Sequence, residues 1–412
     1  MDSSSATPRL GTACNDGTLG LAAIAILLAA FVVWAGRGSN IEKTDFALSY
    51  VAAHMVHAGI GQRLYDADLQ IQLRDSMFRQ PSPLYFEHPP FEALILSPLA
   101  AFSFRTAYLI WGLFNAAIVM GLIVYLRPHL KWPSEDLGYI ALWLLFAPIL
   151  VTLYQGQSSI LVLAGFALAF VQLKKERPFS AGVALALSLF KFQFAVPMAI
   201  IFLLRRQWRL LGGFASSGAV LALISLFAVG RGGLLDYIRF LTRIGGNPRN
   251  VSYGSAVDMP TLHGLLYALL GSRLNGSGLS VVVAILSIAL LMWSAWNWKS
   301  SANSAHFDLL FSAAIAASLL SGSHMFTQDF SPLLLAMLLS GVHVSRLLRT
   351  PRVMLVVSLL VFWSFPVYFL FVKWHCMYVM AIAMLAFSWA CVHGQKYITQ
   401  RSAPASQTVA AV

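Results

Sequence analysis

Thr18–Gly36, Thr106–Leu126, Leu210–Gly230 and Leu279–Trp298 each run for 19 to 21 residues without a charged side chain. As a helix, each is long enough to cross a ~30 Å hydrocarbon core. Lipid offers no partner to a bare backbone amide, so only helices and closed barrels span it. The rest of the chain agrees: 58% of its 412 residues are hydrophobic and 11% charged, where a soluble domain carries about 25% charged residues. The chain therefore reads as an all-α polytopic membrane protein. The first apolar run follows a polar tail with one basic residue, Arg9, and no small-residue cleavage pattern follows it clearly, so it is expected to be a retained helix. Cys14, Cys376 and Cys391 are scattered and show neither metal nor disulfide spacing.

The net charge of +12 needs no nucleic-acid partner, because basic residues concentrate in short loops. Arg9, Arg127/Lys131, Lys174/Lys175/Arg177, Arg205/Arg206/Arg209, Lys299, Arg346/Arg349/Arg352 and Lys396/Arg401 hold 15 of the 28 Lys and Arg. Placing them all on the cytoplasmic side follows the positive-inside rule and puts both termini inside. Spans are then expected at about 18–36, 106–126, 138–154, 157–173, 210–230, 279–298, 306–323, 330–346, 353–372 and 376–394. Residues 179–204 are too few for two ordinary spans and read as a broken hairpin with Lys191-Phe192-Gln193 at its tip. That gives about twelve segments, ten of them full-length. A 1–17 tail precedes a single membrane domain, 18–398, and 399–412 reads as a disordered tail. Residues 37–105 and 231–278 form two long outer loops carrying short amphipathic or re-entrant helices. Their 11 basic residues do not overturn the orientation, since long loops escape the rule.

On this path the polar residues converge on the outer face: Asp45, His54, His57, Tyr65, Asp66, Glu87, His88, Gln155, Gln157, Lys191, Gln193, Asn247, Arg249, Asn250, His324, Gln328, Asp329 and His375. Residues 44–58 read as an amphipathic helix lying in the interface, with Phe46, Tyr50 and His57 on one face. Thr44 is positioned to cap it. Asp45, in its first turn, either helps the cap or serves as a general base kept ionised by the helix dipole. Pro89-Pro90 suits a helix start, and the Glu87-His88 before it reads as an acid/base or metal pair, or as a polar helix entry.

The aspartate after the first span, "GQRLYD", the "PP" entry to a short apolar helix ending "SPLAAF", "YQGQSSILVLAG" and the lysine after "AGVALALSLFKFQF" together resemble glycosyltransferase family 87, bacterial mannosyltransferase-like enzymes of the GT-C superfamily. The resemblance runs from about 40 to 340. It implies a GT-C-like fold in the bacterial plasma membrane with an extracytoplasmic site. There a hexose, mannose by resemblance, would pass from a polyprenyl-phosphate sugar donor to a glycolipid or glycan acceptor. Asp45 matches the family's proposed general base. The family's hairpin lysine is often followed by proline, whereas here Phe192 follows Lys191, which leaves the geometry of the tip open.

Inverting transfer from a lipid phosphate needs a base, a stabilised leaving phosphate and an apolar groove. Lys191 is the leading phosphate partner, since an ionisable group inside a membrane segment is costly; snorkelling or pairing with a carboxylate is the plainer alternative. His324, Arg249, Gln157 and Gln193 are further candidates for the donor phosphate and sugar, with turn or structural roles as alternatives. Asp66, Glu87, His88 and Gln328 are secondary candidates, and Asp329 is a possible helix cap. Asp66-Ala67-Asp68 matches a DxD metal pair by letter only. No obligatory metal or other cofactor is expected, and membrane lipids are the remaining partners. Two other readings fit the composition: a multi-pass lipid or sugar transporter or flippase, and an outer-face ligase or phosphate-group transferase using the same lipid carrier.

Overall fold

The computed structural model describes residues 13–79, 82–130, 136–246, 256–298 and 304–402. Its described residues form helices and turns, with no strand, and the protein is an all-α polytopic membrane protein. Helix α1 (Ala13–Arg37) leads into a cap of three short helices, α2 (Phe46–His57), α3 (Ala67–Met77) and α4 (Pro90–Leu96). The bundle continues with α5 (Phe104–Leu126), α6 (Asp136–Leu144), α7 (Ala147–Gln155), α8 (Ser159–Lys174), α9 (Pro178–Leu185), α10 (Phe192–Leu204) and α11 (Trp208–Gly246). It closes with α12 (Leu262–Leu270), α13 (Gly276–Asn297), α14 (Ala305–Leu320), α15 (Leu333–Gly341), α16 (Arg349–Trp363), α17 (Phe365–Lys373) and α18 (Val379–Ser402).

Two ends of the bundle are chemically distinct. At the basic end, Lys174 of α8 meets Asp308 of α14 at 2.6 Å, His343 reaches the same carboxylate at 3.0 Å, and the Arg205 guanidinium lies 4.1 Å over the Trp298 ring. The opposite end carries the α7–α8 turn, the α9–α10 corner and the residues after α14, and is called the site end below.

The expected hairpin is present. Residues 178–204 are long and apolar enough for one span, and a straight helix would set Phe179 ~38 Å from Leu204. Yet the Gly213 Cα lies so close to the Phe179 carbonyl that an added Cβ would come within 2.1 Å of it, and Gly182 meets Leu210 in the same way. Helix α11 begins at Trp208, so Gly213 lies at most ~22 Å from Leu204, four residues of extended chain and five of helix. The chain must therefore fold back. It does so at Lys191, whose backbone (φ −131°, ψ 75°) leaves the helical region between a 3-10 turn and α10.

Several of the ten crossings expected to be full-length helices are instead short or broken. Among the described residues, four helical stretches pass as spans by length and composition, and α16 with α17 makes a fifth, bent by 70°. The breaks follow proline chemistry: Pro148 opens α7 just after the α6 break, and Pro366 opens α17 just after the bend. Proline lacks an amide hydrogen and disfavours helical geometry in the residue before it.

Burial divides the molecule into two apolar cores. The large one runs through α5–α8, α10, α14, α15 and α18; the smaller one unites α2, α3 and α4 with Trp111 of α5, Phe190 and Val229. Helix α2 departs from the interfacial helix expected of it. Phe46, Ala47, Ser49, Tyr50, Val51, Ala52, Ala53 and Met55 are all buried, and only its His57 end is exposed. The cap helices close over it, so its polar residues are few because little of it meets water. The second half of α11 turns onto this cap at Gly230, whose φ of 68° and ψ of 180° suit only glycine. Beyond the kink, Tyr237 and Phe240 stack against Tyr65 at 4.6 and 5.6 Å between ring centres.

The glycine contacts between α9 and α11 give a direct test of this packing. Gly182→Ala and Gly213→Ala place a methyl on a neighbouring carbonyl and should each destabilise the protein by about 1–3 kcal/mol. Unfolding in detergent would measure this, with Gly212→Ala, which meets nothing within 4 Å, as the control.

Candidate active site

The site is built on the turn that joins α7 to α8. Gly156 ends α7 in the left-handed region, at φ 64° and ψ 33°, a conformation other residues adopt only with strain. A Cβ there would also come within 2.7 Å of the Phe46 side chain. The turn is tied to α5 by the Trp111 indole, which donates to the Gly156 carbonyl at 2.8 Å, and by the Tyr108 hydroxyl, which donates to the Tyr154 carbonyl at 2.7 Å. Gln155 and Gln157 therefore leave a fixed turn in two directions, and both reach Asp45.

Asp45 occupies the position just before α2, but its side chain caps nothing. Thr44 does not cap the helix either; its hydroxyl donates backwards to the Ile41 carbonyl at 2.6 Å. The Asp45 amide instead donates to the Gln155 side-chain oxygen at 3.1 Å. Its Oδ2 accepts from the Gln157 side-chain nitrogen at 2.6 Å and from that of Gln328 at 3.3 Å. Both amides use the same carboxylate oxygen, which leaves Oδ1 available. Burial pushes the Asp45 carboxyl above its ordinary value, opposed by the Gln157 hydrogen bond and by the charges of Lys191 and His88.

Gln328 and Asp329 are consecutive residues of a single 3-10 turn, Thr327–Phe330. The turn is pinned by Thr152, whose hydroxyl donates to the Gln328 carbonyl at 2.8 Å and lies 2.7 Å from the Ser331 hydroxyl. From it Gln328 reaches Asp45 while Asp329 reaches Lys191. The Lys191 Nζ lies 2.8 Å from Asp329 Oδ1, which also accepts from the Ser159 hydroxyl at 2.8 Å; Asp329 Oδ2 accepts from the Phe326 amide at 3.0 Å. Asp329 is 1% exposed and Lys191 5%. Burial drives the Asp329 carboxyl up, but the Lys191 ammonium and these hydrogen bonds outweigh it and hold the group below its ordinary value. Lys191 is thus paired with a carboxylate, and Asp329 caps its own turn, before α15, through the Phe326 amide.

His324 packs edge-on against Phe326, with ring centres 4.6 Å apart. Burial lowers it to about 4, with Lys191 and His88 adding to the shift and Asp329 opposing it, so at neutral pH the ring is uncharged. Gln193 begins α10 two residues after Lys191 and is half-buried. The described partner of His88 is Glu92. The imidazole Nδ1 lies 2.9 Å from the Glu92 carboxylate, one helical turn further on. Glu92 is the residue that the sequence reading missed; the spacing of four across Pro89-Pro90 was its signal. Asp66 is not among the residues brought together: it caps α3 through the Leu69 amide at 3.1 Å and pairs with Arg63 at 2.7 Å. Arg249, Asn247 and Asn250 lie outside the described residues.

The ion pair predicts a specific double-mutant pattern. Lys191→Met and Asp329→Asn should each destabilise the protein by about 3–5 kcal/mol, because each leaves a buried group unmatched. The double variant should lie closer to the wild type than either single one when unfolding is followed in detergent.

Residues 86–322 match the model of glycosyltransferase family 87. This segment holds Glu92, Gln157 and Lys191, with Asp45 before it and His324, Gln328 and Asp329 after it. No curated protein matches the chain. The matched segment covers more than half of the 412 residues and includes the turn, the hairpin and the last helix of the cap, and on this basis the chain belongs to glycosyltransferase family 87.

Proposed function

We propose that the protein transfers a hexose, mannose by resemblance, from a polyprenyl-phosphate sugar to a glycolipid or glycan acceptor, with inversion at the anomeric carbon. The reaction is placed at the extracytoplasmic face of a bacterial plasma membrane, with both termini cytoplasmic and residues 18–398 forming one membrane domain. The observation that carries this reading is Asp45. One of its oxygens is held by two amides and the other is available, at the seam between the cap and the bundle. A carboxylate so placed accepts the proton of an acceptor hydroxyl as that oxygen attacks the anomeric carbon. Burial raises Asp45, which brings its basicity toward the working pH, as general-base catalysis requires.

Lys191 has three N–H groups and directs one at Asp329, leaving others for a phosphate oxygen. Neutral His324 lies five residues before Asp329 and adds an uncharged imidazole to the donor side of the site. Gln157, with its side-chain oxygen buried and unpartnered, and Gln193 are placed for sugar hydroxyls. The lipid needs an apolar bed. A crevice of about 240 Å³ between α6, α15 and α16, lined by Leu142, Leu334, Met337, Leu338, Val356 and Trp363 among others, starts five residues past Asp329 and fits an isoprenoid chain.

Transfer of labelled hexose from a polyprenyl-phosphate donor tests the reading. Asp45→Asn should lower the rate by ~10²–10⁴-fold with normal expression; an unaffected variant would move the base elsewhere. The acid limb of the wild-type rate profile should fall above the ordinary carboxylate value of 3.8, because the base must be ionised. Gln157 lowers the Asp45 carboxyl, so Gln157→Ala should shift that limb to still higher pH. For the lipid bed, Val356→Trp should raise KM several-fold for long-chain donors and leave short-chain, water-soluble donors unchanged, in steady-state assays across chain lengths.

A further inference from the structure

Besides Asp45 and Lys191, a third polar unit faces this site. Helix α4 begins at Pro90, and one turn in it directs Glu92 back at the His88 Nδ1, 2.9 Å away. The Glu92 side chain is 2% exposed and that of His88 24%, so the carboxylate is enclosed while the imidazole is partly accessible. The position of His88 is fixed three ways. Glu92 holds Nδ1, the Tyr65 hydroxyl donates to the His88 carbonyl at 2.7 Å, and the ring lies 5.4 Å from that of Phe86. Phe91, between His88 and Glu92, packs edge-on against Phe190, the neighbour of Lys191, with ring centres 5.0 Å apart, so this pair is brought to the corner that carries Lys191 although it comes from the cap. With Nδ1 committed to Glu92, Nε2 is the atom left for a ligand.

We propose that His88 is a further catalytic residue, the proton donor to the departing phosphate, and that Glu92 is its positioning residue. This rests on the transferase reading above. As the bond between the anomeric carbon and the phosphate oxygen breaks, both bonding electrons leave with that oxygen, and the Nε2 proton of His88 passes to it. The acceptor oxygen forms the new bond to carbon and gives its own proton to Asp45. Polyprenyl phosphate departs as a monoester carrying one added proton, and Asp45 holds the other. Transfer of the Asp45 proton to His88 through water restores both groups. The imidazolium formed before transfer has one N–H toward Glu92 and one toward the phosphate. Such an arrangement needs a carboxylate that neither moves nor hydrates, and the enclosed Glu92 provides it. Around His88 the titratable groups are Glu92 and Glu87 on its own segment, Tyr65 from the preceding loop, Asp45 before α2, and His324 and Lys191 from the bundle.

The test is kcat/KM against pH for the wild type, His88→Gln, Glu92→Gln and Glu92→Asp with a polyprenyl-phosphate hexose. His88→Gln should fall ~10²-fold and lose the basic limb. Glu92 holds the ring through Nδ1, so Glu92→Gln should lower kcat several-fold with KM near the wild-type value, and Glu92→Asp should recover part of the loss. A dinitrophenyl glycoside of the same hexose, whose leaving group needs no proton, should restore His88→Gln but not Asp45→Asn. A His88→Gln enzyme with an intact basic limb, or one equally impaired with both donors, overturns the proposal. So does a Glu92→Gln enzyme whose kcat matches the wild type. Normal His88→Gln beside inactive Asp45→Asn removes this role and leaves the transferase reading standing; a wild type inactive with every donor removes both.

Discussion

A lysine and an aspartate buried together inside a bundle of apolar helices set the terms for everything at the site end. Either charge alone in that setting costs several kcal/mol. The pair persists because Lys191 sits where the α9–α10 hairpin turns and Asp329 where the chain re-enters the bundle before α15. Asp329 collects the Lys191 ammonium, the Ser159 hydroxyl and the Phe326 amide. In doing so it fixes α8, the hairpin and the turn after α14 relative to one another. Gln328, next to it in sequence, carries that registration to Asp45. Lys191 is thereby part of the frame as well as a candidate ligand for phosphate.

The cap depends on this frame more than on its own packing. Its core is small and shares residues with α5 and with the corner of the hairpin. Helix α11 adds to it only because Gly230 lets the chain turn out of the bundle and lay Tyr237 and Phe240 along Tyr65. The site occupies the seam between the two cores. Proton-carrying groups come from both sides of it, Asp45 and His88 from the cap and Lys191 and His324 from the bundle. That distribution suits a reaction joining a polar acceptor to a lipid-borne donor.

Much of the fold could be read from uncharged runs and the spacing of basic residues, because lipid punishes charge strongly enough to leave a plain record. The hairpin was legible for the same reason: 26 residues cannot cross twice, and a lysine in the middle has to be accommodated. Helix breaks were less visible, since Pro148 and Pro366 sit in stretches whose hydropathy alone suggests unbroken spans. The site was legible as residue types but not as pairs. Asp45 meets glutamines 112 and 283 positions away, and no local pattern encodes such distances. The one local pair, His88 with Glu92, was hidden by its neighbour: adjacent Glu87 and His88 look like partners by letter, but the helix starting at Pro90 places the residue four ahead beside the imidazole.

The turn at Gly156 has one more implication. Asp45 lies on a connection, yet its amide and its carboxylate are both addressed by side chains that flank a single glycine, itself bolted to α5 by Trp111 and Tyr108. The carboxylate therefore takes its coordinates from the transmembrane scaffold and not from the segment that carries it. Insertions and exchanges elsewhere in the cap can then remodel the surroundings of this carboxylate while it keeps its place. Such an arrangement separates the evolution of substrate choice from the preservation of the chemistry.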